Sequence, residues 1–327
     1  MRSSGVAIGL LGDVMLGRLV ADALGGQAPD SVWSAEVREL ASQLDLVVCN
    51  LECCISSRGA PTTAIEAKPF FFRAPPVATR ALKAINARAV SLANNHALDF
   101  GPDALRDTLE LLGAADIVAA GAGLGPEAAR RPAIVPAGGL SVGLVAVTDH
   151  PVEYAARPGQ LGVAYAALRE TPPPWLLESI AAARRECDLL IAFPHWGPNM
   201  TTRPAAWQRR LAAGLLEAGA DLVAGHSAHV FHGVGWPARP VIFDLGGALD
   251  DYRVDPKLRN DLGLLAIWRP DGGPELELVG LELDFCRTRL AEGAEAEWIA
   301  DRLRRACGEL GTGVKRAGEQ RFVIEPA

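Results

Sequence analysis

The sequence predicts a single α/β domain, and three observations support this. Short apolar runs alternate with helical patterns from residue 6 to about residue 285, and no linker-like break interrupts them. Polar residues follow several of these runs at the point where each one ends. The composition is 49% hydrophobic and 22% charged, with 34 glycines and 23 prolines, which is typical of a globular core connected by many tight turns.

Five of the apolar runs are predicted as strands whose ends carry chemically useful side chains. They are residues 6–11, 46–49, 89–93, 189–193 and 222–224, which lead into Gly-Asp at 12–13, Asn-Leu-Glu at 50–52, Asn-Asn-His at 94–96, Pro-His-Trp-Gly at 194–197 and Gly-His-Ser-Ala-His at 225–229. In open α/β sheets, ligands bind outside the carboxyl ends of the strands. We therefore expect these polar residues to converge on one site.

Helical patterns fill the stretches between the predicted strands. They cover residues 19–24, 34–44, 76–85, 104–112, 174–185 and 204–218. Near the C-terminus, Ile299, Leu303 and Cys307 recur at helical spacing within residues 295–310, with Trp298 alongside. This last pattern predicts a helix that packs on the domain.

Charge and cysteine usage exclude several classes of protein. The formal net charge of −7 provides no basic field for a phosphate backbone, so we expect no nucleic-acid partner. The six cysteines show neither paired metal-ligand spacing nor the density of a secreted disulfide scaffold. The apolar run near the N-terminus is too short for a signal peptide or a membrane span. We therefore expect a cytoplasmic protein without membrane association.

The placement of the histidines is the most informative feature of the sequence. Five of the six lie at or just after the predicted strand ends, namely His96, His195, His226, His229 and His232, while His150 stands partly apart. A lone histidine is usually structural, an Asp after a strand often caps a helix, and Asn-Asn is ordinary in turns. Such structural roles explain the polar residues at any one strand end. They explain less well why all five strand ends carry them.

Together with Asp13 and Glu52, the histidines supply the imidazole and carboxylate ligands that suit Zn, Mn or Fe. Ca or Mg held by oxygen ligands and water is an alternative, with the histidines outside the coordination shell. We therefore expect a divalent metal ion and no organic cofactor.

Seven motifs resemble those of the CapA-like proteins, which are named for bacterial poly-γ-glutamate capsule synthesis. They are GDVMLGR (12–18), NLE (50–52), FFRAPP (71–76), SLANNHALDFG (91–101), HWGPNM (195–200), GHSAHVFHGV (225–234) and DLGGALDDY (244–252). CapA-like domains are in turn similar to calcineurin-like metallophosphatases. The resemblance covers residues 6 to 285 and implies a four-layer αββα sandwich. It implies a metal-dependent catalytic domain over residues 1–285, with residues 286–327 as a C-terminal packing helix and tail of the same domain.

The resemblance also implies roles for individual residues. The implied metal ligands are two carboxylates, one amide and three imidazoles, namely Asp13, Glu52, Asn95, His195, His226 and His229, and His96 is implied to be an acid/base group beside the metal. The sequence departs from the phosphatase pattern at Met15, where a histidine is usual, and in the three-residue spacing of the last two histidines. One metal position therefore loses a ligand, and we expect one firmly held metal rather than two.

Four residues near the motifs are candidates for contacts with substrate. Arg18, Lys68 and Arg73 follow site motifs closely, and Arg73 is the best candidate for bidentate binding of a carboxylate. Solvated surface charge explains these three equally well. Trp196 is a candidate for stacking on substrate, although a Trp at a strand end more often packs in the core.

These features predict a metal-dependent acid/base enzyme that acts on a peptide-like substrate. Epimerisation at a peptide Cα is slightly favoured, with His96 and Asp99 as one acid/base pair and His229 or His195 with Asp13 or Asp244 as the other. One alternative is hydrolysis of a phosphoester or amide, with His96 protonating the leaving group. Another is an accessory role in capsule polymer assembly. The oligomeric state stays open.

Overall fold

The computed structural model describes residues 5–26, 28–169, 171–271 and 275–326. Within these ranges the α-helices are α1 (Arg18–Gly26), α2 (Ala35–Ser42), α3 (Ala78–Ala84), α4 (Gly101–Ala114), α5 (Gly125–Arg130), α6 (Pro174–Ala183), α7 (Ala206–Glu217) and α8 (Gly293–Gly308). The strands are β1 (Ile8–Val14), β2 (Leu46–Leu51), β3 (Cys54–Ile55), β4 (Arg73–Ala74), β5 (Ala87–Ser91), β6 (Val118–Ala120), β7 (Ala122–Leu124), β8 (Ala133–Ala137), β9 (Leu140–Thr148), β10 (Leu161–Val163), β11 (Leu189–His195), β12 (Leu222–Ala224), β13 (Val234–Gly235), β14 (Val241–Ile242), β15 (Gly247–Leu249), β16 (Leu262–Trp268), β17 (Leu276–Leu283), β18 (Thr288–Leu290), β19 (Gly313–Arg316) and β20 (Arg321–Glu325).

Most strands belong to two large mixed sheets. The first sheet has the order β19-β20-β17-β16-β1-β2-β5-β6, with β15 also paired to β1 and β18 to β17. Its β1, β2, β5 and β6 run parallel. The second sheet has the order β13-β14-β12-β11-β9-β8, in which β9, β11, β12 and β14 run parallel. Each sheet therefore has a parallel half whose carboxyl ends lie at one edge.

Neighbouring residues along the strands face different hydrophobic layers, as the period of two in a strand requires. In β1, Leu10 packs between the two sheets, whereas Leu11 packs against the layer formed by α1 to α4. In β9, Leu144 packs between the sheets, whereas Val145 packs under α6 and α7. The order is therefore helices, sheet, sheet and helices. This is the four-layer αββα sandwich, so the predicted fold class is confirmed.

The C-terminal segment joins the sandwich through both a helix and a sheet. Helix α8 buries Ile299, Leu303 and Cys307 against the layer between the sheets, so the predicted amphipathic helix is observed. The hairpin of β19 and β20 was not predicted from the sequence, and it extends the first sheet because β20 pairs with β17. No helix in the described ranges is long and apolar enough to cross a membrane.

The five strands predicted at the site are all present; β12 has the predicted ends, and the other four are shifted or extended. The strand predicted over residues 6–11 is observed as β1 and runs through Asp13. The strand predicted over residues 46–49 is observed as β2 and reaches Leu51. Helix α2 begins after Ser34, whose hydroxyl accepts a hydrogen bond from the Val37 N–H at 3.3 Å. Asp13 and His195 therefore lie within strands, where the sheet holds their backbone more firmly than a loop would.

Candidate metal centre

The predicted site residues come together where the parallel strands of both sheets end. Asp13 lies near the end of β1, and Glu52 directly follows β2 in the same sheet. His195 ends β11, and His226 follows β12 in the second sheet. A backbone bridge pairs His195 with His226, so the two imidazoles lie side by side. The site is therefore built across the edge that the two sheets share.

Asp13, His195 and His226 form the first group of potential metal ligands. The Nδ1 atoms of His195 and His226 lie 2.9 Å apart. Asp13 Oδ1 lies 3.3 Å from His226 Nδ1 and 3.9 Å from His195 Nδ1. All three side chains are buried. One carboxylate and two imidazoles at this spacing suit a transition-metal ion.

Asp13, Glu52 and His229 form the second group, and Asp13 belongs to both. His229 Nδ1 lies 3.1 Å from Asp13 Oδ2 and 3.8 Å from Glu52 Oε2. The two oxygens of Asp13 therefore face different groups, Oδ1 towards the first and Oδ2 towards the second. A carboxylate in this position is suited to bridge two cations.

Several polar atoms at the centre are buried without a hydrogen-bond partner among the described residues. They include both carboxylate oxygens of Glu52, Oδ1 of Asn95 and Nε2 of His226. Such atoms are costly to bury unless something else satisfies them. Burial, and then the charge of Asp13, raise the pKa of the Glu52 carboxyl well above its usual range. A bound cation would satisfy these atoms and stabilise the carboxylates, so the residues fit a divalent metal.

Two asparagines fix the orientation of Asp13. The Asn50 side chain donates a hydrogen bond to Asp13 Oδ1 at 2.8 Å, and the Asn94 side chain donates to Asn50 Oδ1 at 3.0 Å. Gly12, the residue before Asp13, has no room for a side chain, because a Cβ atom would lie 2.0 Å from the carbonyl oxygen of Gly246. The central carboxylate is therefore held from both its side chain and its backbone.

The loop that carries His226 and His229 has an unusual backbone conformation. Ser227 has a φ of 118° and His229 a φ of 57°, a region that residues other than glycine seldom adopt. The Ser227 N–H donates to Asp13 Oδ2 at 3.2 Å, and the Ala228 N–H donates to Asp244 Oδ2 at 2.9 Å. These bonds hold the loop in a conformation that directs His229 towards Asp13. Strain of this kind is concentrated at functional sites.

A histidine–aspartate pair lies beside the metal-ligand groups. His96 Nδ1 lies 2.6 Å from Asp99 Oδ2, and the ring stacks on Phe72 with a centroid distance of 3.9 Å. Asp99 also accepts hydrogen bonds from the Phe72 N–H at 2.7 Å and the Tyr154 hydroxyl at 3.0 Å. Burial lowers the pKa of His96 to about 4. The ring is therefore neutral near pH 7, and its orientation is fixed by Asp99.

A cleft of about 330 Å³ opens onto this pair and onto the second ligand group. Its lining combines two arginines, three aromatic rings and two site histidines, namely Arg18, Arg253, Phe70, Phe72, Tyr252, His96 and His229. Cationic and aromatic groups at the cleft suit a substrate that carries both a negative charge and apolar or planar parts.

Comparison with known proteins gives the family of this chain. Residues 7–252 match the model of the family described as bacterial capsule synthesis protein PGA_cap. A probable polyglutamine synthesis accessory protein of Mycobacterium tuberculosis is 30% identical over 312 residues, which cover 86% of this chain and 78% of that protein. The chain belongs to this capsule synthesis family. The predicted relationship to CapA-like proteins is confirmed.

Two further similarities extend the comparison. The PGA biosynthesis protein CapA of Bacillus subtilis is 28% identical over 228 residues, which cover 67% of this chain and 56% of that protein. This chain therefore matches just over half the length of that relative. The crystal structure of a hypothetical protein from Thermus thermophilus aligns with a TM-score of 0.43 and 16% identity, covering 87% of this chain and 96% of that one.

The CapA-like chain retains two ligand groups despite its departure at Met15. The Met15 side chain is buried, and its sulfur accepts a hydrogen bond from the Gly17 N–H at 3.0 Å. The sequence predicted that this substitution would leave only one firm metal position. The structure places three potential ligands in each of two groups, because Asp13 belongs to both, and the number of metal ions bound stays a prediction. The sequence could not show that the two oxygens of Asp13 diverge.

Two predicted substrate-binding residues lie away from the cleft of this CapA-like protein. Trp196 is buried in the core, where its indole N–H donates to the Phe243 carbonyl at 2.9 Å, so it cannot stack on a substrate. The Arg73 guanidinium donates to the carbonyls of Arg58 and Gly59 at 3.0 and 3.1 Å. It also lies over the Phe100 ring at 4.2 Å. Both predictions are corrected, because the polar group of each side chain is hydrogen-bonded to backbone carbonyls outside the cleft.

The other two predicted contacts differ in outcome. Lys68 is almost buried, and its ammonium donates to the Asn95 carbonyl at 2.8 Å and lies 3.2 Å from Asp99 Oδ1. It therefore supports the carboxylate behind His96 and does not face substrate, which corrects the prediction. Arg18 does line the cleft, where its guanidinium pairs with Asp251 at 3.1 Å.

The acid/base pairs predicted for the CapA-like site are also only partly observed. Asp244 accepts its hydrogen bonds from the backbone N–H groups of Ala228 and Gly246, so it pairs with neither His195 nor His229. The sequence interpretation missed a further pair, Asp149 and His150, which follow β9 and are hydrogen-bonded to each other. The His150 ring lies 5.2 Å from that of His195. The strand before this pair, β9, was not among the predicted strands, although its apolar run over residues 142–147 was a signal that could have found it.

Proposed function

We propose that this CapA-like protein is a metal-dependent hydrolase that cleaves amide bonds in a poly-γ-glutamate-type capsule polymer. The main support is the position of Asp13, whose two oxygens face two separate groups of buried ligands. Two metal ions that share a carboxylate are suited to hydrolysis, because they stabilise both the attacking and the leaving group. The family relationship supports the capsule polymer as the substrate class.

The ligand chemistry favours Mn, Zn or Fe as the metal. His195 and His226 with Asp13 would hold one ion, and Glu52 and His229 with Asp13 the other. The buried, unpartnered Oδ1 of Asn95 would supply a further oxygen ligand. When bound, such ions would polarise the scissile carbonyl and make a water molecule more acidic.

His96 is the proposed proton carrier. It lines the cleft, and its Nδ1 is occupied by Asp99. The neutral ring therefore donates its Nδ1 proton to Asp99 and presents Nε2 as an acceptor. His96 would take the proton that the attacking water loses and pass it to the departing nitrogen. Asp99 would stabilise the cation formed in between, and the Lys68 ammonium lies 3.2 Å from Asp99 Oδ1 on the far side of that pair.

The cleft fits a chain of carboxylates. Arg18 and Arg253 lie at its lining: Arg18 pairs with Asp251 on one side and keeps 34% of its side chain exposed, and Arg253 is exposed. The Arg18 guanidinium is framed by the rings of Phe70, Phe72 and Tyr252 at 5.4, 5.7 and 5.9 Å. An arginine restrained in this way loses little freedom when it binds a carboxylate. We therefore assign side-chain carboxylates of the polymer to these two arginines.

Epimerisation at a peptide Cα is the second candidate function. It needs two acid/base groups on opposite sides of the carbon, but His195, His229 and Asp13 belong to the metal-ligand groups. The observation that supports this candidate is the Asp149–His150 pair, whose imidazole lies 5.2 Å from the His195 ring. Hydrolysis needs only His96 as proton carrier, so we favour it.

One experiment separates the two functions. The purified protein, loaded in turn with Mn, Zn or Fe, is incubated with poly-γ-glutamate in deuterated water, and the products are analysed by mass spectrometry. Hydrolysis yields shorter chains with new carboxyl ends. Epimerisation yields full-length chains that gain one mass unit for each Cα exchanged. p-Nitrophenyl phosphate serves as the phosphoester control.

The outcome is decided by the metal-dependent product. Shortened chains that appear only with metal would support the proposal. Full-length chains that gain deuterium would replace it with epimerisation. Cleavage of the phosphoester with no change in the polymer would show that the metal assignment is right and the substrate class is wrong.

A further inference from the structure

A second pocket, of about 270 Å³, lies where α8 meets the segment after β11. It is lined by three arginines, one acidic residue and two small or neutral residues, namely Arg203, Arg302, Arg305, Glu309, Thr202 and Ala306. The chain as a whole carries a net charge of −7. The lining of this pocket therefore has a net positive charge, even with Glu309 included, whereas the chain as a whole is negative.

Arg302 is the least expected of the three, because it is buried without a carboxylate. It is 8% exposed, and its Nε and Nη2 both donate to the Phe231 carbonyl, at 3.1 and 2.9 Å. No acidic group among the described residues lies within ion-pair distance of it. The guanidinium also lies over the rings of Phe231 and Trp298, at 4.9 and 5.3 Å from their centroids. Burial lowers the pKa of Arg302 to about 10, since taking a cation out of water is costly even with these partners. An anion in the pocket would offset this cost.

Arg203 and Arg305 line the same pocket, and within the described residues neither forms an ion pair. Arg203 forms no hydrogen bond or ion pair within the part of the chain that the structure describes. Arg305 donates only to the Asp301 carbonyl, at 3.3 Å. By contrast, Arg304 on the same helix pairs with Asp301 at 2.5 Å and does not line the pocket. The two pocket arginines are therefore available to a ligand.

The second pocket is close to the active-site cleft along the chain. Asn199 and Met200 line the cleft, whereas Thr202 and Arg203 line the second pocket. Met200 and Thr202 are two residues apart, so their Cα atoms lie within about 8 Å of each other. A γ-linked glutamate spans roughly 6 Å when extended, since it adds two carbons to the 3.8 Å of an α-linked residue. A few residues of such a chain would reach from one pocket to the other.

We propose that Arg203, Arg302 and Arg305 form a distal subsite that binds carboxylates of an extended γ-linked glutamate chain while the next residues occupy the catalytic cleft. This inference rests on the proposed substrate class. It predicts that the protein prefers long chains, because a short one reaches the cleft alone. Binding at two connected places raises affinity without new contacts at the cleft.

The test measures binding of γ-glutamate oligomers of two and eight residues by calorimetry. The full chain with His96→Ala is used, so that the oligomers are not cut. The eight-residue oligomer is expected to bind at least about 10-fold more tightly than the dimer. R203Q/R305Q should reduce that preference about 5- to 10-fold and leave the dimer unchanged, as expected for two exposed charge pairs. R304Q is the matched control and should change neither.

Equal affinity for the two oligomers, or unchanged binding by R203Q/R305Q, would overturn the subsite. A third result would also overturn it: inorganic phosphate binds through Arg203, but the eight-residue oligomer binds no more tightly than the dimer. The pocket would then bind only a small anion. The subsite and the proposed function fail separately. If the long oligomer binds through these arginines but the wild-type protein never cuts it, the subsite stands and the hydrolase assignment is wrong.

Discussion

Replacing His96 with Ala tests the proposed chemistry most directly. The substitution removes the proton carrier and leaves every proposed metal ligand in place. Loss of general acid/base catalysis lowers the chemical step by about 10²- to 10⁴-fold, which corresponds to about 3 to 5 kcal/mol of transition-state stabilisation. We therefore expect kcat to fall by that factor on the polymer, with little change in KM.

The fold should survive this change, because Asp99 keeps its other partners. The Phe72 N–H, the Tyr154 hydroxyl and the Lys68 ammonium remain at 2.7, 3.0 and 3.2 Å from its oxygens. No buried charge is left unpaired, so the free energy of unfolding should fall by about 1 to 3 kcal/mol, mainly from the lost hydrogen bond and ring stacking.

The assay combines turnover with metal content and chemical rescue. H96A should bind as much metal as the wild type in elemental analysis, whereas H226A should lose metal together with activity. Because His96 lines the cleft, added imidazole should enter the space left in H96A and restore part of the rate. If H96A keeps near-full turnover, or loses metal as H226A does, His96 is not the proton carrier.

Three further outcomes are expected. Asp13→Ala should abolish the binding of both metal ions, whereas Glu52→Gln should weaken the binding of only one. Metal content is measured by elemental analysis, and equal losses in the two variants would contradict a shared carboxylate. Burial lowers the pKa of His232 to about 4, so the folded state resists protonation that the unfolded chain accepts near pH 6.5. His232 should therefore contribute up to about 3 kcal/mol to the stability that is lost as the pH drops from 6.5 to 4. His232→Asn, measured by urea unfolding at several pH values, should remove that part of the dependence and leave the part due to His96. Trp196→Phe should lower the free energy of unfolding by about 1 to 3 kcal/mol through the lost indole hydrogen bond, and a raised KM with unchanged stability would restore Trp196 as a substrate contact.

The convergence of the site was predictable because it depends on local signals and one topological rule. Strand periodicity located the strands that precede Asp13, Glu52, His195 and His226, and the carboxyl ends of parallel strands share an edge. The family resemblance supplied the division into two stacked sheets. No local pattern shows that β11 and β12 belong to a different sheet from β1 and β2.

The errors concern side chains whose partners are distant in sequence. Trp196 is turned into the core by the Phe243 carbonyl, 47 residues away, and Lys68 is drawn behind His96 by Asp99. Whether a polar group at a strand end faces solvent or a buried partner depends on tertiary packing, which spacing does not encode. For the same reason the sequence did not predict that Arg302 is buried. The amphipathic pattern of its helix indicated only that the helix packs on the domain.

The position of Asp13 explains how the centre tolerates Met15. Strand β1 lies inside the first sheet, paired with β2 on one side and with β15 and β16 on the other, and Asn50 holds the carboxylate. Glu52 comes from the first sheet, whereas His195 and His226 come from the second, so Asp13 joins ligands that the two sheets carry separately. A ligand lost from the segment after β1 leaves both groups with three members. The distance between the ligands of the two sheets then depends on how the sheets pack. The buried layer between them includes the Phe193 ring, 4.5 Å from that of His226, so a change in this layer would move His226 relative to Asp13.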